Sequence, residues 1–225
     1  MVEADFSELG RLYETRFSPA EREAKARVWA VLCRHFFCRF VRPTDRVLDL
    51  AAGYCEFINH VDCAEKYAFD ANPQARRFAA ETVKFVVGDC RDLSSLPPDF
   101  FDAIFVSNFF EHLESKRDMD TVLRQAWGRL RRGGRLLVLQ PNIRFLDSRY
   151  WDFYDHQIPI THLSLREALL KNGFTVELLI PKFLPFTSKS RLPTAPWLVW
   201  LYLKLTPAHW LFGKQMFAVA VRPAA

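Results

Sequence analysis

Apolar positions along the chain change period repeatedly, and each change predicts an element. Between residues 18 and 43, Val28, Trp29, Leu32, Phe36 and Phe40 recur at helical spacing. Ser18-Pro19-Ala20-Glu21 supplies the start of that helix, a capping box with proline at the first helical position. Pro43 bounds it, because the residue before a proline is pushed out of the α region. Short apolar runs then alternate with helical patterns. Strands are predicted near 46–51, 66–70, 83–88, 101–106 and 135–140, and helices near 55–62, 73–81 and 118–132. Runs apolar on both faces are those of buried parallel strands, so the alternation predicts an α/β sheet of βα units. A second capping box, Ser164-Leu-Arg-Glu167, opens a predicted helix ending at Gly173, and 174–180 alternates as a sixth strand.

The stretch from Val47 to His60 organises the rest. Its strand is followed by Ala51, Ala52 and Gly53, small residues that let the backbone turn sharply and a ligand approach, and helical spacing resumes at Phe57, Ile58 and Val61. Strand, tight loop and helix form the first unit of a nucleotide-binding sheet, with the ligand at the helix N-terminus. An ordinary βα turn reads the same way. Asp70 lies 19 residues beyond Ala51, near the spacing of a ribose-binding carboxylate in such units. A carboxylate accepts from two vicinal hydroxyls at once. A solvated acid at a strand end is the alternative.

Five segments in order decide between these readings: Asp49-Leu-Ala-Ala-Gly-Tyr-Cys55, Tyr67-Ala-Phe-Asp70, Val86-Val-Gly-Asp-Cys90, Phe101-Asp-Ala-Ile-Phe-Val-Ser-Asn108 and Gly133-Gly-Arg-Leu-Leu-Val-Leu139. Together they resemble the class I S-adenosylmethionine-dependent methyltransferases over nearly the whole chain. The resemblance implies a Rossmann-like seven-stranded sheet with an antiparallel last strand near 215–221, helices on both faces and an N-terminal helical cap over the cofactor site. It assigns Asp49, Ala51 and Gly53 to the cofactor loop, Asp70 to the ribose, Asp89 and the Cys90 amide to the adenine, and Asn108 to the cofactor's side. Tyr13 and Arg16 would reach the methionine end. The chain departs from the family at Ala51 and Cys55, where glycine is usual. Alanine costs little if its φ is negative. Cys55 places a side chain where backbone should approach the ligand, so weaker binding or a displaced loop is expected.

The chain of 225 residues reads as one domain: a cap over 1–43, a cofactor core over 44–141, a lid loop over 142–163, and a C-terminal helix, insertion and last strands over 164–225. The lid holds Phe145, Tyr150, Trp151, Phe153 and Tyr154 among Asp152, Asp155, His156 and His162, and so much aromatic surface argues against disorder. A satellite cluster that merely covers the core is the alternative. Net charge is +5, but the basic residues are spread out, and the densest group, Arg129-Leu-Arg-Arg132, sits at a predicted helix end, where cations favour the helix dipole. No nucleic-acid partner is expected. The five cysteines form no Cys-x-x-Cys pair, which argues against zinc and, with no secretory signal, for reduced thiols in the cytoplasm. Residues 197–205 are nearly all apolar but too few to span a bilayer. They are expected to pack, with a partner or a membrane interface as alternatives.

The resulting expectation is a cytoplasmic methyltransferase with S-adenosylmethionine as cofactor and a small-molecule acceptor. The choice among sugar hydroxyl, phenol, amine and carbon stays open, as does the oligomeric state. A hydroxyl acceptor needs a base, for which His156, His162 and His112 are candidates. His162 precedes a helix N-terminus, which disfavours its charged form. His156 is preferred as the catalytic residue because Asp155 or Asp152 would orient it. Two rivals stand beside this reading: a binding subunit that keeps only the fold, and a nicotinamide-dependent oxidoreductase. The second lacks the Gly-x-Gly-x-x-Gly spacing.

Overall fold

A computed structural model describes residues 18–186 and 194–224. The first capping box forms as expected. Ser18 donates its amide to Glu21 Oε2 at 2.7 Å, and the Glu21 amide donates to Ser18 Oγ at 3.3 Å. Helix α1 runs Pro19–His35 and is followed by a 3-10 turn, Phe37–Arg39. The chain then alternates through β1 (Arg46–Leu50), α2 (Glu56–His60), β2 (Glu65–Asp70), β3 (Val83–Val87), β4 (Phe101–Ser107), α3 (Lys116–Arg129) and β5 (Leu130–Pro141). The second half contributes α4 (Ile143–Leu146), α5 (His162–Lys171), β6 (Thr175–Ile180), α6 (Pro196–Lys204), α7 (Thr206–Phe212) and β7 (Gln215–Val221).

All seven strands join one sheet in the order β3-β2-β1-β4-β5-β7-β6. Strands β1 to β5 pair in parallel, and β7 runs antiparallel between β5 and β6. Chain direction through the sheet reverses between β1 and β4, so a crevice opens outside their carboxyl ends, where such sheets take their ligands. Each face carries a core. One, with Leu48, Leu50, Ile104 and Val106, packs under α3 and α5, where Val122 and Leu165 are fully buried. The other is aromatic and clamps α1 and α2 to the sheet. Phe57 stacks on Phe105 at 3.9 Å, and Trp29 meets Phe105 edge-on at 5.9 Å. Such pairs add to the stabilisation from burial by about 0.5–1.5 kcal/mol each.

Three elements differ from their sequence patterns. The helix expected over 73–81 is a 3-10 turn, Pro73–Phe78. Asn59 takes the Ala80 amide at 2.9 Å and donates to the Phe78 carbonyl at 2.8 Å, which draws the chain out of a helical path. Helix α5 begins before the expected Ser164 cap. Thr161 is the N-cap, and Ser164 closes the box from the third helical position. Of the basic group 129–132 only Arg129 is helical; the next residues already belong to β5, and Arg131 pairs with Asp102.

The apolar segment near 197–205 packs by half. Val199, Tyr202 and Leu203 of α6 join the core beside α1, and the Tyr202 hydroxyl donates to the Phe183 carbonyl. Its other face and α7 leave Trp197, Trp200, Trp210 and Leu211 exposed. Among the described residues no helix is long and apolar enough to cross a membrane.

Candidate active site

The loop after β1 turns through three left-handed residues, Ala51 at φ 56°, Gly53 at 51° and Cys55 at 56°. For the two that are not glycine this costs about 1–2 kcal/mol each. The condition under which alanine costs little, a negative φ, is not met at Ala51, because the loop bends through the left-handed region there. The crowding expected from Cys55 is also absent: its side chain is fully buried in the aromatic core with Phe57 and Ile58, not turned to the crevice. Backbone bonds fix the loop, from the Cys55 amide to the Ala52 carbonyl at 2.7 Å and from Ala52 to the Phe69 carbonyl at 3.2 Å.

Asp70 is the loop's main fastening. Its Oδ2 accepts the Gly53 amide at 2.8 Å and its Oδ1 the Asn72 amide at 2.8 Å. Each oxygen keeps a further acceptor site. Asp70 lines a small hollow of about 20 Å³ together with Tyr54 and Phe78. Burial pushes the Asp70 carboxyl above the usual carboxylate range.

Asp49 plays another part. It is 4% exposed and accepts the Ile58 amide at 3.3 Å, tying α2 to β1, and it lines neither the hollow nor the crevice. Burial raises its pKa well above the ordinary value. The folded state then holds this proton more tightly than the unfolded chain. Its contribution to stability falls as pH rises from the ordinary carboxylate range toward the raised folded pKa. Asp49→Asn keeps an acceptor for Ile58 and removes the charge. The variant is therefore expected to gain on the wild type in thermal melts as pH is raised across about pH 4–8. A wild-type lead that widens toward neutral pH would overturn this.

Asp89 and Cys90 do not line either space. Asp89 pairs with Arg91 at 2.6 Å, and the Cys90 thiol is buried in the core, which pushes its pKa up. Gly88 between them and β3 admits no side chain, since a Cβ there would sit 2.5 Å from the ring of Phe69. Asn108, at φ 46°, closes the end of β4: its amide donates to the Leu139 carbonyl at 2.9 Å, and its Oδ1 accepts Gln215 Nε2 at 2.6 Å.

The crevice itself is a cavity of about 680 Å³. That falls in the range of small-molecule sites. Helix α1 walls it with Lys25, Val28 and Trp29, and the loop Ala51–Tyr54 and Asn108 line it too. Glu111, His112, Phe153 and His156 line it as well. Of the five lid aromatics only Phe153 reaches it. Tyr150 is buried with its hydroxyl on the Ile158 carbonyl, Phe145 stacks on His162, and Tyr154 is 98% exposed.

Among the three histidines, the structure brings His156 and His112 to the cavity and leaves His162 outside it. His162 meets Asn142 Nδ2 at 3.0 Å in the first turn of α5, and burial lowers its pKa. His156 stacks on Phe153, with ring centres 5.0 Å apart, and stands edge-on to His112 at 5.1 Å. Asp155, expected to orient His156, sets its Oδ2 3.3 Å from His112 Nδ1, while Asp152 is exposed. Glu111 was assigned no role from sequence, yet it is 1% exposed beside both histidines, and burial raises its pKa. Gln140 donates Nε2 to Glu111 Oε2, and the Gln140 Oε1 is buried without a hydrogen-bond partner among the described residues. The sequence signal for this cluster was the Glu-His pair just past β4 together with a histidine in the loop after β5. Tyr13 and Arg16 lie outside the described residues.

Residues 48–138 match the model of a family described as a methyltransferase domain. A solved complex of the Haloferax volcanii Trm112 methyltransferase activator with a putative methyltransferase includes a chain of the same fold. It is 18% identical at a TM-score of 0.68, covering 99% of this chain and 100% of that one. An S-adenosylmethionine-dependent methyltransferase from Archaeoglobus fulgidus is 21% identical at a TM-score of 0.64, covering 97% and 100%. A possible histamine N-methyltransferase from Thermotoga maritima is 14% identical at 0.63, covering 97% and 96%. No curated protein sequence matches significantly. The sequence of the core thus matches a methyltransferase domain, and the chain shares its fold with S-adenosylmethionine-dependent methyltransferases.

Proposed function

We propose that this protein transfers a methyl group from S-adenosylmethionine to a small-molecule acceptor in the cytoplasm. The observation that carries the reading is the single cavity at the sheet's switch point. The glycine loop and Asn108 line one part of it, and a titratable cluster, Glu111, His112 and His156, lines another. The residues present suit the cofactor. Asp70 has acceptor capacity for ribose hydroxyls, the Gly53 backbone is bare where the ligand approaches, and Asn108 is held in place by Gln215. When bound, S-adenosylmethionine supplies a methyl already activated on a sulfonium. The chain's part is alignment, which can supply up to about 7–11 kcal/mol of the barrier, and handling of the acceptor's proton. We assign that proton to His156, which lines the cavity. Five unpaired thiols suit a reducing compartment.

A second reading, a binding subunit that keeps the fold, draws on the exposed tryptophans of α6 and α7. Calorimetry separates the possibilities. S-adenosylmethionine and its demethylated product are expected to bind, and NAD is not. NAD binding with no response to either sulfur ligand overturns the proposal, and cofactor binding without turnover on any acceptor class leaves the subunit reading.

A further inference from the structure

We infer that Glu111, His112 and His156 form a binding site for a divalent transition-metal cation, and that the acceptor is an oxygen compound bound through it. This rests on the methyltransferase reading for the acceptor's role but not for the cation's binding. Each of the three residues offers one ligand atom, and these atoms all lie within 4.8 Å of one another. His112 Nε2 is already 3.9 Å from Glu111 Oε1. Ligand atoms around an ion with bonds of about 2.1 Å stand roughly 3–3.5 Å apart, so small side-chain rotations complete the geometry.

The supporting contacts are those a metal centre needs. A ligating histidine commonly gives its other ring nitrogen to a carboxylate or carbonyl, which fixes its tautomer. His112 does so through Nδ1, 3.1 Å from the Asp155 carbonyl and 3.3 Å from its carboxylate, which leaves Nε2 for the cation. Glu111 has Oε2 engaged by Gln140, and Oε1 is the oxygen toward His112. The two elements that carry the ligands are bolted together. The Gln157 and Ile158 amides both donate to the Glu111 carbonyl, at 2.7 and 3.3 Å, one and two residues beyond His156. Glu111 is nearly fully buried, and among the described residues no lysine or arginine pairs with it. Buried carboxylates without such a partner are neutral or hold a cation.

Two imidazoles and one carboxylate select borderline cations such as Zn²⁺, Co²⁺ or Fe²⁺ over Ca²⁺ or Mg²⁺. Three ligands leave open positions on the cavity side. An acceptor hydroxyl bound there loses its proton to solvent water more easily, because the cation stabilises the oxyanion. His156 then acts on the acceptor's proton as a ligand of the cation rather than as a lone base.

The test is Co²⁺ and Zn²⁺ titration of the chelator-treated full chain by absorbance and calorimetry. One tight site is expected, with a Co²⁺ spectrum free of thiolate charge-transfer bands. Loss of outer partners costs about 10–100-fold in metal affinity, so Asp155→Asn should fall in that range, and Glu111→Gln and His112→Ala should lose at least about 100-fold. Folding of each variant is checked by circular dichroism and by its affinity for S-adenosylmethionine. No saturable site, a thiolate band, or equal affinity in the folded variants overturns the inference. If the sulfur ligand binds and the metal does not, only this inference fails. If the metal binds and the sulfur ligand does not, the methyltransferase reading and the acceptor's role at the cation fail together, and the cation site stands.

Discussion

His156→Ala is expected to lower methyl-transfer turnover by about 10²–10⁴-fold, the usual worth of a group that handles the acceptor's proton. Affinity for S-adenosylmethionine should change little, because the cofactor loop belongs to β1 and α2, while His156 lies in the loop after β5. The loss should fall on kcat, as it does when an interaction made only in the transition state is removed. His112→Ala should behave alike, since both rings line the cavity and stand edge to face. His162→Ala serves as the control: its ring is stacked on Phe145 outside the cavity. Glu111→Gln then separates the two modes of action. It spares a lone base and disables a cation site. Wild-type turnover in both His156→Ala and His112→Ala would sink any role for the cluster in chemistry and leave positioning as the mechanism.

Asp70→Ala is expected to weaken S-adenosylmethionine binding by at least about 100-fold. Two charge-assisted hydrogen bonds to the ribose are each worth about 1.5–3 kcal/mol. The same change also frees the Gly53 and Asn72 amides, so the loop that shapes the cavity loses its fastening. The fold should survive, because the sheet and both cores stand without this side chain. Burial raises the Asp70 pKa, so cofactor affinity should begin to fall with decreasing pH above the ordinary carboxylate range, as the acceptor becomes protonated. Equilibrium binding of wild type and variant across pH checks both points. An unchanged dissociation constant in Asp70→Ala would mean that the carboxylate serves the loop alone.

What the sequence by itself determined was whatever rests on local pattern. The strands near 46–51, 101–106 and 135–140 were legible because runs buried on both faces leave a continuous apolar signature. The Ser18–Glu21 cap was legible because its bonds join residues three apart. The parallel order of the core and the antiparallel last strand followed from resemblance over five ordered segments, and the sheet has that form. Elements governed by distant partners were not legible. Asn59 turned 73–81 away from a helix across 19 and 21 positions of chain, to Phe78 and Ala80.

The site divides along the same line. Asp70 could be found from spacing, since its distance from the loop is set by one βα unit. Only the tertiary structure decided that Cys55 points into the core, that Asp155 serves His112, and that Glu111 joins two histidines. Each depends on backbone torsions or on contacts across 43 or more positions of chain, as between His112 and Asp155. A one-dimensional pattern encodes which faces are buried. It does not encode which polar side chains two separate loops bring to one point, because that is set by how the whole sheet positions their ends.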